Sequence, residues 1–174
     1  MKVSLTGTPG VGKTSVANEL KRRGYRILRI ENIADKFTIG YDDERECKIV
    51  DEDALNKYVS KLKDGIIIIE GHLSHLLDVD AVIILRCHPE ELKKRLRMKG
   101  WGEKKIKENV EAEALDIILQ RALEKHEKIW EIDTTNKSVD ETANKIERIL
   151  KGKIPCNYGK IDWSSWLFEN VGQI

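Results

Sequence analysis

The sequence predicts an α/β protein in which a five-stranded parallel sheet carries helices on both faces. Three observations lead to that expectation. Apolar, β-branched stretches alternate with stretches of helical periodicity over residues 1–150. One of them, Ile66-Ile67-Ile68-Ile69, has four β-branched residues and no alternation, which suits a central strand covered on both sides. The stretch Gly7-Thr8-Pro9-Gly10-Val11-Gly12-Lys13-Thr14 has the glycine, four residues, Gly-Lys-Ser/Thr spacing of a phosphate loop, placed between a strand and a helix.

Taken in order, Val3-Ser4-Leu5 is the first strand, and Ser15 to Arg23 is a helix with Val16, Ala17 and Leu20 on one face. Small residues in the loop let successive backbone N–H groups turn inward as an anion nest. The helix N-terminus adds its free N–H groups and the positive end of its dipole. Gly10, Val11, Gly12, Lys13, Thr14 and Ser15 are therefore expected to hold the phosphates of a nucleoside triphosphate, with the Thr14 hydroxyl in a magnesium shell.

Gly24 stands where a helix ends, and Tyr25 to Ile30 is a second strand, polar enough for a place near the sheet edge. Glu31 to Asp53 is the least regular part, with a short helical piece at Asn32 to Phe37 and an acidic stretch from Asp42 to Glu46. Leu55, Tyr58, Val59 and Leu62 follow helical spacing, and Gly65 is expected to end that helix. After the isoleucine run, Ala81 to Leu85 is a fourth strand. Pro89 suits the first turn of a helix that faces Leu92 and Leu96 inward. Gly100-Trp101-Gly102 interrupts the helical pattern, and Ile106, Val110, Ala114, Ile117 and Ile118 read as one long helix. Ile129 to Ile132 is the fifth strand, and Ser138-Val139-Asp140-Glu141 has the capping-box form for a last helix. From residue 152 the composition changes to a tail, 152–174, whose Trp163, Trp166, Leu167 and Phe168 either pack back on the domain or dock a partner.

Composition narrows the function. The 174 residues carry a net charge of +1, so no global field draws the chain to nucleic acid or an anionic membrane. A charged fraction of 35%, with only two glutamines, resembles that of proteins from hot environments. Cys47, Cys87 and Cys156 lack zinc-site spacing and read as reduced thiols of a cytoplasmic protein. The chain is expected to open directly on a strand with no signal segment, and its longest apolar run is too short to cross a bilayer.

A phosphate loop alone does not separate kinases, ATPases and GTPases. Glu70, directly after the isoleucine run, is the expected carboxylate of the metal shell at the C-terminal sheet edge. His72 is positioned to orient a nucleophile or bond a phosphate oxygen. His72 and His75 fit a zinc site poorly and lack a third ligand. Arg86, Arg95, Arg97, Lys99, Lys104 and Lys105 gather around the glycine break, where cations on a closing segment would neutralise a transferring phosphoryl group. Asn136-Lys137-Ser138-Val139 lacks the final aspartate of a guanine-reading motif, which leaves the loop Thr134 to Lys137, with Asn136, to touch the base through its backbone groups.

These residues resemble the archaeal and eukaryotic adenylate kinase-like ATPases of small ribosomal subunit maturation, among them the coilin-interacting nuclear ATPase and the isoenzyme-six type of adenylate kinase. The resemblance lies in Gly7 to Thr14, Gly40-Tyr41-Asp42-Asp43-Glu44, Ile49 to Asp53, Leu92 to Trp101 and Lys104 to Asn109, and spans nearly all of residues 1–150. It implies a P-loop nucleoside-monophosphate-kinase-like fold over 1–151, with an acceptor segment near 30–53 and a lid near 98–108. It implies ATP and Mg2+ as cofactors, AMP as acceptor, ATP hydrolysis, and a small-subunit ribosomal protein of the uS11 class as partner, with RNA contacted only indirectly and no membrane. Lys13, Glu70, His72 and Lys99 would be the catalytic set, with Arg86 and Arg95 as helpers. The chain departs from the family in three places. Glu70-Gly71-His72 replaces Asp-x-His, Lys99-Gly100-Trp101 replaces Arg-Gly-Tyr, and Lys36 is the only cation where an acceptor-side arginine is usual. Two other readings stay open, a nucleotide-switched assembly factor with slow ATPase activity and a kinase of another small metabolite.

Overall fold

The computed structural model describes residues 1–43 and 47–170, so Glu44, Arg45 and Glu46 of the acidic stretch lie outside the described residues. Five strands form one parallel sheet: β1 (Lys2–Thr6), β2 (Arg26–Arg29), β5 (Ile67–Glu70), β6 (Ala81–Arg86) and β7 (Ile129–Asp133). Their spatial order is β2-β5-β1-β6-β7, with the polar second strand at an edge. The chain first leaves β1 toward β2 and later crosses to β6 and β7 on its other side. The carboxyl ends of β1, β5 and β6 therefore meet where open α/β sheets hold ligands.

On one face, Val3, Leu5, Ile83 and Leu85 pack with residues of α1 (Lys13–Arg22), α3 (Pro89–Met98), α4 (Glu103–Ala114) and α6 (Val139–Leu150). The other face carries α2 (Glu52–Ser60) over Ile67 and Ile69, and α5 (Ile117–Leu123) over Val82 and Ile84. Full burial of an isoleucine side chain contributes about 1.5–3 kcal/mol, so the run Ile67 to Ile69 alone holds the centre of the sheet firmly. Between these two apolar clusters runs a polar seam that the alternation of β1 announces. Ser4 shares a 2.7 Å hydrogen bond with Ser74, and the Thr6 hydroxyl lies 3.2 Å from both the His72 carbonyl and His75 Nδ1. The seam pins the turn after β5 against the central strand.

Several expected elements differ in detail. Residues read as irregular include a hairpin of β3 (Thr38–Asp42) and β4 (Cys47–Val50), whose short antiparallel strands lack a buried face to mark them. Its side chains Ile39, Tyr41 and Ile49 are exposed. α2 stops at Ser60, and Gly65 instead makes the turn into β5, with φ 72°. The long helix expected from Ile106 through Ile118 to Arg121 is two helices. Asp116 breaks it at φ 55°, where its carboxylate bonds the buried Arg86 and the Glu113 carbonyl also turns to that guanidinium. The tail folds back on the domain. Asn157 bridges to the open edge of β7, Trp163 meets His88 edge-to-face at 5.0 Å, and Trp166, in α7 (Ser164–Asn170), donates its indole N–H to Glu90 at 2.9 Å. Phe168 is exposed.

Candidate phosphate-binding site

The loop between β1 and α1 wraps the helix N-terminus in a backbone that only glycine allows. At Gly7, φ is 141° and a Cβ would stand 2.4 Å from the Leu85 carbonyl oxygen. At Gly10, φ is 96° and a Cβ would meet Leu92 and Leu96 below 3.0 Å. The loop can thus lie against the ends of β6 and α3. α1 opens at Gly12 with no side-chain cap and no acidic residue in its first turn, so its N–H groups and dipole face the loop uncompensated.

Lys13 is buried, and its ammonium donates to the carbonyls of Gly7 at 2.7 Å and Thr8 at 3.0 Å. Burial, reinforced by Lys99 and opposed by Glu70 and Glu113, lowers its pKa to about 8. Beside it, the exposed Thr14 hydroxyl donates to Glu70 Oε1 at 3.3 Å, while Glu70 Oε2 lies 3.6 Å from Arg29 Nε. Glu70 is the last residue of β5 and its side chain is buried. His72 lies just beyond, with a solvent-facing surface. The protein around it, and then Lys13, hold its pKa below the ordinary histidine value, so the ring is neutral at pH 7. His75 is turned into the polar seam instead. Burial and then Arg121 lower its pKa to about 4.

A cleft of about 380 Å³ opens over the loop. Gly10, Gly12 and Ser15 form its floor, Arg95 and Lys99 one wall, and Lys137 and Ser138 the other. Arg95 reaches from α3 to the Thr134 carbonyl at 3.2 Å. Lys99 stands in the four-residue corner between α3 and α4, at the place expected for a lid. Ser138 caps α6 through the full capping box. Asn136, expected at the base, is exposed at φ 53° and does not line the cleft, whereas its neighbours Lys137 and Ser138 do.

Arg86 requires a correction. It is only 2% exposed and bonds Glu113, Asp116 and Glu131, so it cannot reach a transferring phosphoryl group. Its position at the end of an apolar strand gave the same sequence signal as a site residue would. Arg97 is drawn off to Glu103 by two bonds of 2.9 Å, and Lys105 lies over the Trp101 ring at 5.0 Å. Of the cations around the glycine break, Arg95 and Lys99 line the cleft. Sequence reasoning missed Thr8 and Glu113, which hydrogen-bond each other beneath the loop at 2.6 Å. The signal for Glu113 was an acidic residue seven positions after Ile106 and three after Val110, on the buried face of α4.

The fold and the loop together define a P-loop protein of nucleoside-monophosphate-kinase-like architecture. A family model described as an AAA domain matches residues 3–116, well over half the chain, and the chain belongs to that family. Archaeal relatives named "Putative adenylate kinase" share its sequence over nearly their full length. The one from Archaeoglobus fulgidus is 41% identical over 98% of this chain and 96% of its own. The one from Pyrococcus abyssi is 42% identical over 94% and 92%, and that from Methanocaldococcus jannaschii 37% over 97% and 96%. Among solved structures, deoxyadenosine kinase from M. mycoides with bound dATP shares the fold at a TM-score of 0.58. It is 15% identical, over 87% of this chain and 100% of that one. TT1252 from Thermus thermophilus matches at 0.55 and 15%, over 88% and 97%. No helix among the described residues is long and apolar enough to cross a membrane.

The lowered Lys13 pKa gives a pH prediction. Phosphate oxygens placed beside Lys13 would favour the ammonium form and raise that pKa, so a protein with a polyphosphate bound there would hold more protons than the free protein above pH 7. Affinity for a polyphosphate is therefore expected to fall as pH rises through about 8, with proton uptake on binding at pH 8. Calorimetry in buffers of different ionisation enthalpy measures that uptake, and binding at pH 8 without it would contradict the assignment.

Proposed function

We propose that the protein is an adenylate kinase that transfers the γ-phosphoryl group of MgATP to AMP, with slower transfer to water. The observation that carries this reading is the convergence at one sheet edge of the uncompensated α1 N-terminus, buried Lys13, the Thr14–Glu70 pair and the Lys99 corner. The names of the archaeal relatives supply the adenine acceptor.

Thr14 and Glu70 offer converging hard oxygen atoms, which suit Mg2+. Thr14 and Glu70 would hold Mg2+ there, and the ion would supply positive charge to offset that on the phosphoryl oxygens. The chain's own residues do the remainder. Gly10, Gly12 and Ser15 present backbone N–H groups, the Val11 N–H being held by the Thr8 carbonyl at 3.3 Å, and Lys13 exchanges two backbone carbonyls for the outer phosphates. Neutral His72 orients the incoming oxygen, and Lys99 with Arg95 neutralises charge from the α3–α4 side as that corner closes like a lid. The base lies toward Lys137 and Ser138. The acceptor segment at 30–53 meets AMP with Lys36, whose point charge binds a phosphate less specifically than an arginine fork.

The ribosomal part of the reading, action in small-subunit maturation with a uS11-class protein, rests on the family resemblance. One experiment tests both parts. Labelled γ-phosphate from ATP is followed with AMP, water or a uS11-class protein each present or absent. Label is expected in ADP formed from AMP, with much less as free phosphate, and the ribosomal protein is expected to change the ratio. Transfer to another small molecule in clear preference to AMP would overturn the adenylate kinase reading. An unchanged ratio, together with equal binding of the ribosomal protein to apo, ADP and ATP forms, would overturn the partner.

A further inference from the structure

The second residue of the phosphate loop is tied to a buried charge. Thr8 is 3% exposed, and its hydroxyl donates to Glu113 Oε2 at 2.6 Å. The other oxygen of Glu113 accepts from Arg86 Nε at 2.7 Å and from the Cys87 N–H at 3.1 Å. Arg86 also bonds the Glu113 carbonyl at 3.0 Å, Asp116 and Glu131. Charge balance alone does not need Glu113, because Asp116 and Glu131 already oppose the guanidinium. Burial works against the charge of Arg86, but the three carboxylates outweigh it and raise its pKa.

Thr8 is therefore held at both ends. Its side chain is fixed to α4, and its carbonyl accepts at 3.3 Å from the Val11 N–H and, until Lys13 leaves for the phosphates, from that ammonium. A loop with glycines at 7, 10 and 12 all at positive φ has much freedom to lose on binding. A buried hydrogen bond to a carboxylate is among the stronger ways to remove that freedom beforehand.

We propose that Glu113, itself oriented by Arg86, is a positioning residue for nucleotide binding, acting through Thr8 to hold the phosphate loop in its binding shape before the nucleotide arrives. The proposal rests on the reading of this loop as the nucleotide-phosphate site. A loop that is in its binding shape only part of the time binds more weakly in proportion. Thr8→Val removes the hydroxyl at nearly constant shape, and Glu113→Gln removes the charge that holds it. Each is expected to weaken MgATP binding about tenfold. The double variant is expected to be no weaker than the worse single one, since both break one link. Thr8→Ser keeps the hydroxyl and is expected to recover most of the affinity. Asp116→Asn takes a carboxylate from Arg86 without touching Thr8. It is expected to lower thermal stability while leaving MgATP affinity within about twofold of wild type.

The test is calorimetric titration of MgATP into the full chain and these variants, at a temperature well below every unfolding midpoint. The wild-type titration examines the site itself, and absence of binding there would overturn the nucleotide reading and the proposal with it. Given wild-type binding, the proposal is overturned if Thr8→Val binds within twofold of wild type, if Thr8→Ser is as weak as Thr8→Val, or if Asp116→Asn loses as much affinity as Glu113→Gln. Should Glu113→Gln fail to fold, the Thr8→Val and Thr8→Ser pair decides.

Discussion

Lys13→Ala is expected to lose about two to three orders of magnitude in phosphoryl-transfer rate, the range seen when one charge-stabilising donor is removed from an active site. The chemistry depends on positioning and charge, and this ammonium is the buried cation at the loop. A companion measurement separates that loss from damage to the fold. Burial lowers the Lys13 pKa to about 8, so at pH 7 the nucleotide-free protein carries an ammonium that its surroundings disfavour. For a lysine shifted down, the unfolded chain binds more protons between about pH 8 and 10.5, and the penalty is present below pH 8 and lifts as pH rises through that range. Lys13→Met, which fills similar space without charge, is therefore expected to match or exceed the wild-type thermal midpoint at pH 7 while being as inactive as the alanine variant. Near-wild-type turnover in Lys13→Ala would sink the catalytic assignment, and a sharply lower midpoint in Lys13→Met would sink the account of its burial.

Arg86→Ala is expected to destabilise the protein by about 3–5 kcal/mol, because it strands carboxylates that the guanidinium now pairs in the interior. Glu113 and Glu131 are each 2% exposed. Burial already pushes the pKa of Glu131 up, against the pull of Arg86, and without that partner it would take up a proton more readily still. The damage would spread, since Glu113 holds Thr8 and Glu131 accepts the Gly159 N–H of the tail at 2.6 Å. Urea unfolding measures the loss. Stability within about 1 kcal/mol of wild type, with turnover lost, would instead restore Arg86 to the role of phosphate helper that its place in the sequence suggests.

Arg86 and Lys13 show where sequence reading succeeds and where it stops. Lys13 belongs to a local pattern, and every property that made it legible is contiguous in the chain: small residues, a strand before and a helix after. The place of Glu70 was legible for a related reason, because an acidic residue at the end of a parallel strand falls at the carboxyl edge of the sheet. Arg86 occupies the same sort of position one strand further along, yet points into the core. The difference is three carboxylates that arrive from α4, the break after it, and β7, at 27, 30 and 45 residues' distance. Nothing local encodes that meeting. The broken helix at Asp116 was missed for the same reason, since a side-chain bond to Arg86 overrides a helical periodicity that continues on both sides. Of the loop Thr134 to Lys137, Lys137 lines the cleft while Asn136 does not.

By itself, then, the sequence determined the strands of the main sheet, their parallel sense and the phosphate loop, because each follows from short-range periodicity and from backbone conformations that only certain residues permit. The tertiary structure decided which charges face the ligand and which face one another. An ion pair between distant segments depends on strand order and helix register, and these become fixed only when the whole core packs. Lys99 lines the cleft, Lys13 lies buried against the carbonyls of the loop, Arg86 turns into the core, and Thr8, inconspicuous in the motif, becomes the point where the loop is joined to the core.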